Sequence, residues 1–271
     1  MNGIDRETTV FWRHPCFADL CLLKARFTHH RYELHTHPTY VIAIITQGCE
    51  RLHIGTRLVT APVGTVLLVH PEECHDGEAG ADGGWAYRTL YPSVALMTDI
   101  AQELGCAGPP VFGKSLIDDP VLVGALVAAH EQAESGDEDE SAMLTALRHL
   151  ILRHADKSRG TEPISHSGSR RRLGVYLDAI DAGGRIDLRR FADLAGVTRF
   201  QVIRDFKHMT GLTPGGFIRN RRLRLASGLL RQGVTIAEAA LAAGFADQSH
   251  LTRACRSTLG ITPTMFRRAY S

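Results

Sequence analysis

Ala192-Asp193-Leu194-Ala195-Gly196-Val197, continued by Thr198 to Met209 and closed by Gly211-Leu212-Thr213-Pro214, decides the fold, because the chain writes this passage twice. The second version runs Ala240-Leu241-Ala242-Ala243-Gly244-Phe245, then Asp247 to Thr258, then Gly260-Ile261-Thr262-Pro263. Gly196 and Gly244 stand 48 positions apart, and Pro214 and Pro263 stand 49 apart. Each unit opens on small, helix-favouring alanines. It turns at a glycine tolerant of positive φ and restarts at a capping residue, Thr198 or Asp247. Gly211 and Gly260 end the second helix, and the prolines prevent its resuming. The repeat predicts two helix-turn-helix units whose second helices suit neighbouring major-groove segments of DNA.

The phase of those second helices supports this. At about 100° per residue, Val202, Phe206 and Met209 share one stripe, opposite Phe200, Ile203, Arg204 and Lys207. In the second unit Leu251, Cys255 and Thr258 face inward, while Ser249, Thr252, Arg253 and Arg256 face out. An outward guanidinium can donate two bonds to guanine or clamp a phosphate. Phe200 and Ile203, apolar on that face, suit a thymine methyl or a neighbouring helix.

Charge divides the chain. Residues 170–271 hold 18 Lys+Arg against 7 Asp+Glu, a net of +11, and the remainder is net −9, although the whole is only +2. The basic part can neutralise phosphates with a steep salt dependence. The acidic part is a poor DNA binder and suits regulation. The longest apolar runs are strand-sized, and the N-terminus lacks a secretory pattern, so a cytoplasmic chain outside the membrane is expected. Six cysteines without a CxxC pair fit a reducing compartment.

From about residue 20 to 92 the sequence predicts short strands: Leu20–Leu23, Tyr40–Ile45, Arg51–Ile54, Val66–Val69 and Tyr87–Tyr91. Gly48, Gly55, Pro62 and Gly64 punctuate them, as in an all-β barrel or sandwich. Helices are expected over Ser93–Leu104, Pro120–Ala133 and Ser141–Ala155. The stripe Leu144, Leu147, Ile151 and His154 could bury against the barrel or against a second subunit. Lys157 to Ser169 reads as a linker. In the β region His35 and His37 alternate along a strand, and His75 follows a turn. With Arg26, Tyr40, Trp85 and Tyr87 they make a candidate effector pocket, expected to be metal-free.

With these residues placed, the chain resembles the AraC/XylS family of bacterial transcription regulators. The resemblance runs through Leu194-Ala195-Gly196-Val197, Phe206-Lys207 and Thr210 to Pro214. It continues through Ile236-Ala237-Glu238, Gly244 to Ser249 and Gly260 to Pro263. It implies seven helices, a long one around Phe217 to Leu230 joining the two readers. The base-facing positions it implies are Arg199, Phe200, Ile203 and Arg204, then Gln248, Ser249, His250 and Arg253, to which the outward stripes add Lys207 and Arg256. Cys255 departs from the usual Phe, which touches packing rather than DNA.

The N-terminal half resembles, less specifically, the cupin-like effector domain often attached to this module, through His35-x-His37, Gly48, Pro62-x-Gly64 and Pro71-x-Glu73-x-His75. Metal-dependent cupins also place a Glu where this chain has Val41 and a third His where it has Leu67. The resemblance therefore implies no cofactor, no catalytic residue and no assigned metal ligand. The expected fold class is α+β. A cupin-like effector domain spans 1–117, a helical dimerisation or coupling segment 118–156, a linker 157–169 and an all-α DNA-binding domain 170–271. The expected partners are double-stranded promoter or operator DNA, a small-molecule effector, a second copy of the chain, and RNA polymerase if the protein is an activator. The rival reading is a metal-sensing regulator, or a metal-dependent cupin enzyme with an appended DNA module.

Overall fold

Gly48 shapes the β domain. The sequence suggests separate strands at Tyr40–Ile45 and Arg51–Ile54, but the two are one 14-residue strand, β4 (Val41–Ile54). Gly48 takes φ +68°, and a Cβ there would collide with the Gly84 carbonyl. The ladder shifts register between Ile45 and Gln47. This local bulge bends the strand, so its halves join different sheets. The computed structural model describes residues 7–156, 167–181 and 187–271.

The other strands are β1 (Thr8–Arg13), β2 (Leu20–Phe27), β3 (Arg31–His35), β5 (Arg57–Pro62), β6 (Val66–Val69), β7 (His75–Ala79), β8 (Trp85–Pro92) and β9 (Leu116–Ile117). One sheet runs β1-β2-β8-β4-β6-β9, and β3-β7-β4-β5 forms the second face. All pairings are antiparallel. Strand parity separates two cores. Leu20, Leu22, Tyr40, Ile42 and Ile44 point out of the barrel, and Leu23, Ala25, Val41, Ala43 and Ile45 point in.

The outer face is covered by α1 (Val94–Glu103), α2 (Pro120–Glu134) and α3 (Ser141–His154). Leu147, Leu150 and Ile151 are buried there with Leu122 and Leu126. The helical stripe left open between barrel and subunit partner is thus spent on the barrel. Arg88 ties α2 down, donating to His130 Nδ1 at 2.9 Å and pairing with Glu131 and Glu134. Burial pushes His130 down to about 4, so it stays neutral.

Seven further helices follow among the described residues: α4 (Ser167–Asp181), α5 (Leu188–Ala195), α6 (Arg199–Thr210), α7 (Pro214–Arg231), α8 (Ile236–Ala242), α9 (Gln248–Leu259) and α10 (Pro263–Arg268). Residues 157–166 of the expected linker, and the first six residues, lie outside the described residues; Ser167 already begins α4. The first helix-turn-helix has a core of Tyr176, Phe191, Val202 and Phe206, and the second one of Leu223, Ala240, Leu251 and Cys255. Leu230, Ala239, Ile261 and Phe266 join the barrel's interior core, so the two domains share one apolar cluster.

Candidate nucleic-acid interface and ligand cavities

Local chemistry builds the two readers alike. Asp187 caps α5, and Gly196 ends it at φ +63°. Thr198 then accepts from the Gln201 amide to start α6. In the second unit a reciprocal Thr235–Glu238 capping box starts α8. Asp247 accepts from the His250 amide at 2.7 Å to start α9. Each cap satisfies an amide that would otherwise lack a partner.

Arg199, Phe200, Arg204 and Lys207 stand exposed on α6, and Gln248, Ser249, Arg253 and Arg256 on α9. Phe200 is 79 % exposed, a large unpartnered ring. Ile203 and His250 are half-buried: Ile203 lines a depression beside Leu188 and Pro214, and His250 packs edge-on against Phe245. Of the inward residues, Val202, Phe206, Leu251, Cys255 and Thr258 are buried as their phase requires, and Met209 is half-buried.

The sequence reading missed what holds α6 in place. Asp205, inside a basic helix, is 1 % exposed and takes two bonds from Arg172, one from Tyr176 and one from Gln201. The Arg172 guanidinium draws its carboxyl down to about 2. An acid at a position facing inward in a cationic helix was the available signal.

The expected effector residues do not gather in one place. His35, His37, His75 and Tyr87 line a cavity of about 40 Å³ inside the barrel. Arg26 and Tyr40 sit on outward-parity positions: Arg26 donates to Gln47 at the surface, and Tyr40 reaches the Pro110 carbonyl beneath the helices. A one-residue difference in parity places a side chain on the opposite face of a strand. Trp85 points inward but is buried against Phe27 and Tyr87. His37 lies just past the end of β3, yet its ring joins the others.

A far larger cavity, about 660 Å³, opens between barrel and helical domain. Phe11, Leu23, Leu223, Ile261 and Phe266 give it apolar walls, and Arg13, Arg224 and Arg231 supply cations. Arg13 and Arg231 both lie over the Tyr270 ring, 5.6 and 5.0 Å from its centroid. The rim is clamped by Arg224, which pairs with Glu72 at 2.6 Å and donates to Thr36. Asn220 donates to the same hydroxyl. Glu72 holds a positive φ of 63°, the one non-glycine case among the described residues, so the clamp rests on strained backbone. Buried Arg224 Nε has no partner.

Residues 17–151 match the AraC-like ligand binding domain family, and residues 191–269 match a helix-turn-helix domain family. This chain is an AraC-family transcription regulator. The regulator is 26 % identical over 230 residues to the uncharacterized HTH-type transcriptional regulator YbfI of Bacillus subtilis, covering 82 % of each chain. It is 33 % identical over 139 residues to the thermoregulatory protein LcrF of Yersinia pestis, covering 48 % of this chain and 50 % of that one. An apo, singly substituted ToxT from Vibrio cholerae superimposes with TM-score 0.56 at 12 % identity over 94 % of this chain and 99 % of its own. ToxT bound to (E)-4-(8-methylnaphthalen-1-yl)but-3-enoic acid gives 0.53 at 11 %, over 98 % and 99 %. The expected α+β architecture, a sheet domain followed by a helix-turn-helix domain, is the one observed. No described helix is long and apolar enough to cross a membrane.

Proposed function

We propose that this DNA-binding regulator is controlled by an amphipathic organic carboxylate held between its domains rather than inside its barrel. The observation that carries the reading is the difference in volume. Small-molecule sites span roughly 300–1,000 Å³, and the interdomain cavity has about 660 Å³ where the barrel has about 40 Å³. Its apolar walls suit a hydrocarbon body, and Arg13 and Arg231 suit an anionic head. The carboxylic acid bound by the ToxT neighbour is consistent with that class.

Within this reading, Arg199, Phe200, Ile203, Arg204, Lys207, Gln248, Ser249, His250, Arg253 and Arg256 contact double-stranded promoter DNA. Both readers touch the barrel with their C-terminal ends: a Cβ on Gly211 would meet Cys74, and one on Gly260 would collide with Tyr32. A ligand wedged beside α7 therefore alters how firmly those ends are held, which couples occupancy to DNA affinity. The protein works in the cytoplasm as a regulator rather than an enzyme, paired with a second copy, and contacts RNA polymerase where it activates. The division at 117, 156 and 169 belongs to this proposal.

The test is DNA affinity titrated against medium- and long-chain carboxylates and their uncharged amides. The expected result is a several-fold change with the acids alone, abolished in an Arg13→Ala, Arg231→Ala double variant. No coupling to any acid, or equal coupling in that variant, overturns the effector assignment while leaving DNA binding intact.

A further inference from the structure

Three imidazoles converge inside the barrel, and DNA binding uses none of them. One ring nitrogen from each of His35, His37 and His75 lies within 4.8 Å of the other two. The sheet register produces the cluster. His35 and His75 are cross-strand partners on β3 and β7, so their side chains share a face, with ring centroids 4.4 Å apart. His37 closes the triangle at 4.6 and 5.1 Å from the two rings. The third imidazole thus arrives from β7, not from position 67, where the sequence comparison sought it.

The backbone also sets which ring nitrogens are bare. His35 Nδ1 lies 2.6 Å from the Glu33 carbonyl oxygen, and His75 Nδ1 lies 2.9 Å from that of Glu73. A carbonyl only accepts, so both Nδ1 atoms carry the proton and both Nε2 atoms present lone pairs. Anchoring one nitrogen on a carbonyl while the other faces the ion is how metal-bound histidines are oriented. His35 Nε2 and His37 Nε2 sit 2.9 Å apart. A single hydrogen bond serves that pair alone, whereas an ion serves all three rings.

The surroundings fit an ion and exclude an organic ligand. The adjoining space of about 40 Å³ holds a few waters at most, since each needs roughly 10–15 Å³. Glu50 lines the same space with its residue 6 % exposed. Burial and the Asp76 charge push its carboxyl up to about 8.

We propose that His35, His37 and His75 bind one first-row divalent transition-metal ion, of which Zn²⁺ is representative, with its remaining coordination positions open toward Glu50. Three neutral nitrogen donors favour such an ion over Ca²⁺ or Mg²⁺, which require oxygen ligands. This revises the sequence-based expectation of a metal-free pocket. It stands independently of the effector reading. Thr258 and Leu259, at the end of α9, form part of the same cavity wall, so the ion would sit directly behind the second reader.

The experiment strips full-length protein with a chelator and titrates it with Zn²⁺, then Co²⁺, by calorimetry, with elemental analysis after desalting. One ion per chain is expected, with Co²⁺ giving visible bands that Zn²⁺ abolishes. His35→Gln and His75→Gln should each weaken binding at least about tenfold, while His29→Gln, exposed and outside the cluster, should not. Failure of the wild type to hold a stoichiometric ion overturns the proposal, as does unchanged affinity in both cluster variants. Should those variants misfold, electron paramagnetic resonance of Cu²⁺-loaded wild type decides by counting imidazoles. Three are expected, and fewer overturn the assignment.

Discussion

The two readers repeat one sequence pattern but are held in place by different means. The first has an aromatic core: Phe206 lies 5.3 Å from Tyr176, 5.7 Å from Phe191 and 5.4 Å from Phe217, centroid to centroid. The second has Cys255 at the position of Phe206 and a core in which Ala226, Ala240, Ala243 and Ala254 sit among Leu223, Phe245 and Leu251. Small side chains let helices approach closely but bury less apolar area. The second unit makes up the difference by docking. Ile261 and Phe266 enter the barrel's core, Phe266 stacks on Phe11 at 5.8 Å, and the end of α9 closes the barrel cavity. The first reader therefore rests mainly on its own aromatic core, touching the barrel where Gly211 meets Cys74, whereas the second draws more of its support from the sensor.

That contrast is breakable. Phe206→Ala should be the most damaging change, costing about 3–5 kcal/mol by opening an aromatic-sized cavity. Denaturant unfolding should show the loss in the first reader while the barrel's transition is retained. Cys255→Ala should cost far less in the same assay. Comparable losses for the two would refute the asymmetry.

Asp205→Ala should cost about 2–3 kcal/mol, since Arg172, Tyr176 and Gln201 lose a shared acceptor. The wild-type contribution has a defined pH window. The folded carboxyl is drawn down to about 2, below an unfolded value near 3.9. Its stabilisation is complete above about pH 4 and is lost as pH falls through 2. Stability measured from pH 5 to 2 should fall in the wild type and flatten in the variant. Parallel curves would show that the pair does not anchor α6.

Arg204→Ala and Arg253→Ala should each weaken cognate DNA by about 1–3 kcal/mol and relax base preference locally. Lys207→Ala should weaken all sequences alike and lower the salt slope by about one. Equal losses on random and cognate DNA for the arginine variants would overturn the base-reading role proposed for them. The smallest effect is expected at the clamp. Glu72→Gln breaks a partly exposed pair, with Glu72 58 % exposed, so its stability cost should stay under about 1 kcal/mol. If the second reader leans more heavily on the sensor, that change should alter effector response more than stability, read as DNA affinity with and without carboxylate.

Much of the molecule was readable in advance because its signals are local. Caps, breakers and 3.6-residue phase placed α5, α6, α8 and α9, and the buried and exposed faces of both readers follow that phase except at half-buried Ile203, Met209 and Thr252. The barrel strands were legible, but the face each residue occupies was not. Arg26 and Tyr40 look like pocket residues until parity in β2, and in the run that leads into β4, turns them outward. Asp205 looked incidental until Arg172, 33 positions away, reached it.

Sequence alone therefore determined the elements, the double helix-turn-helix and the basic surface, since each depends on neighbours within a few residues of chain. Tertiary structure decided which distant side chains meet around each cavity. The large cavity joins Arg13 to Arg231 and Tyr270, and the histidine triangle depends on β3 pairing with β7. Both are set by which distant segments pack together, a property of strand register and domain docking that no local pattern encodes.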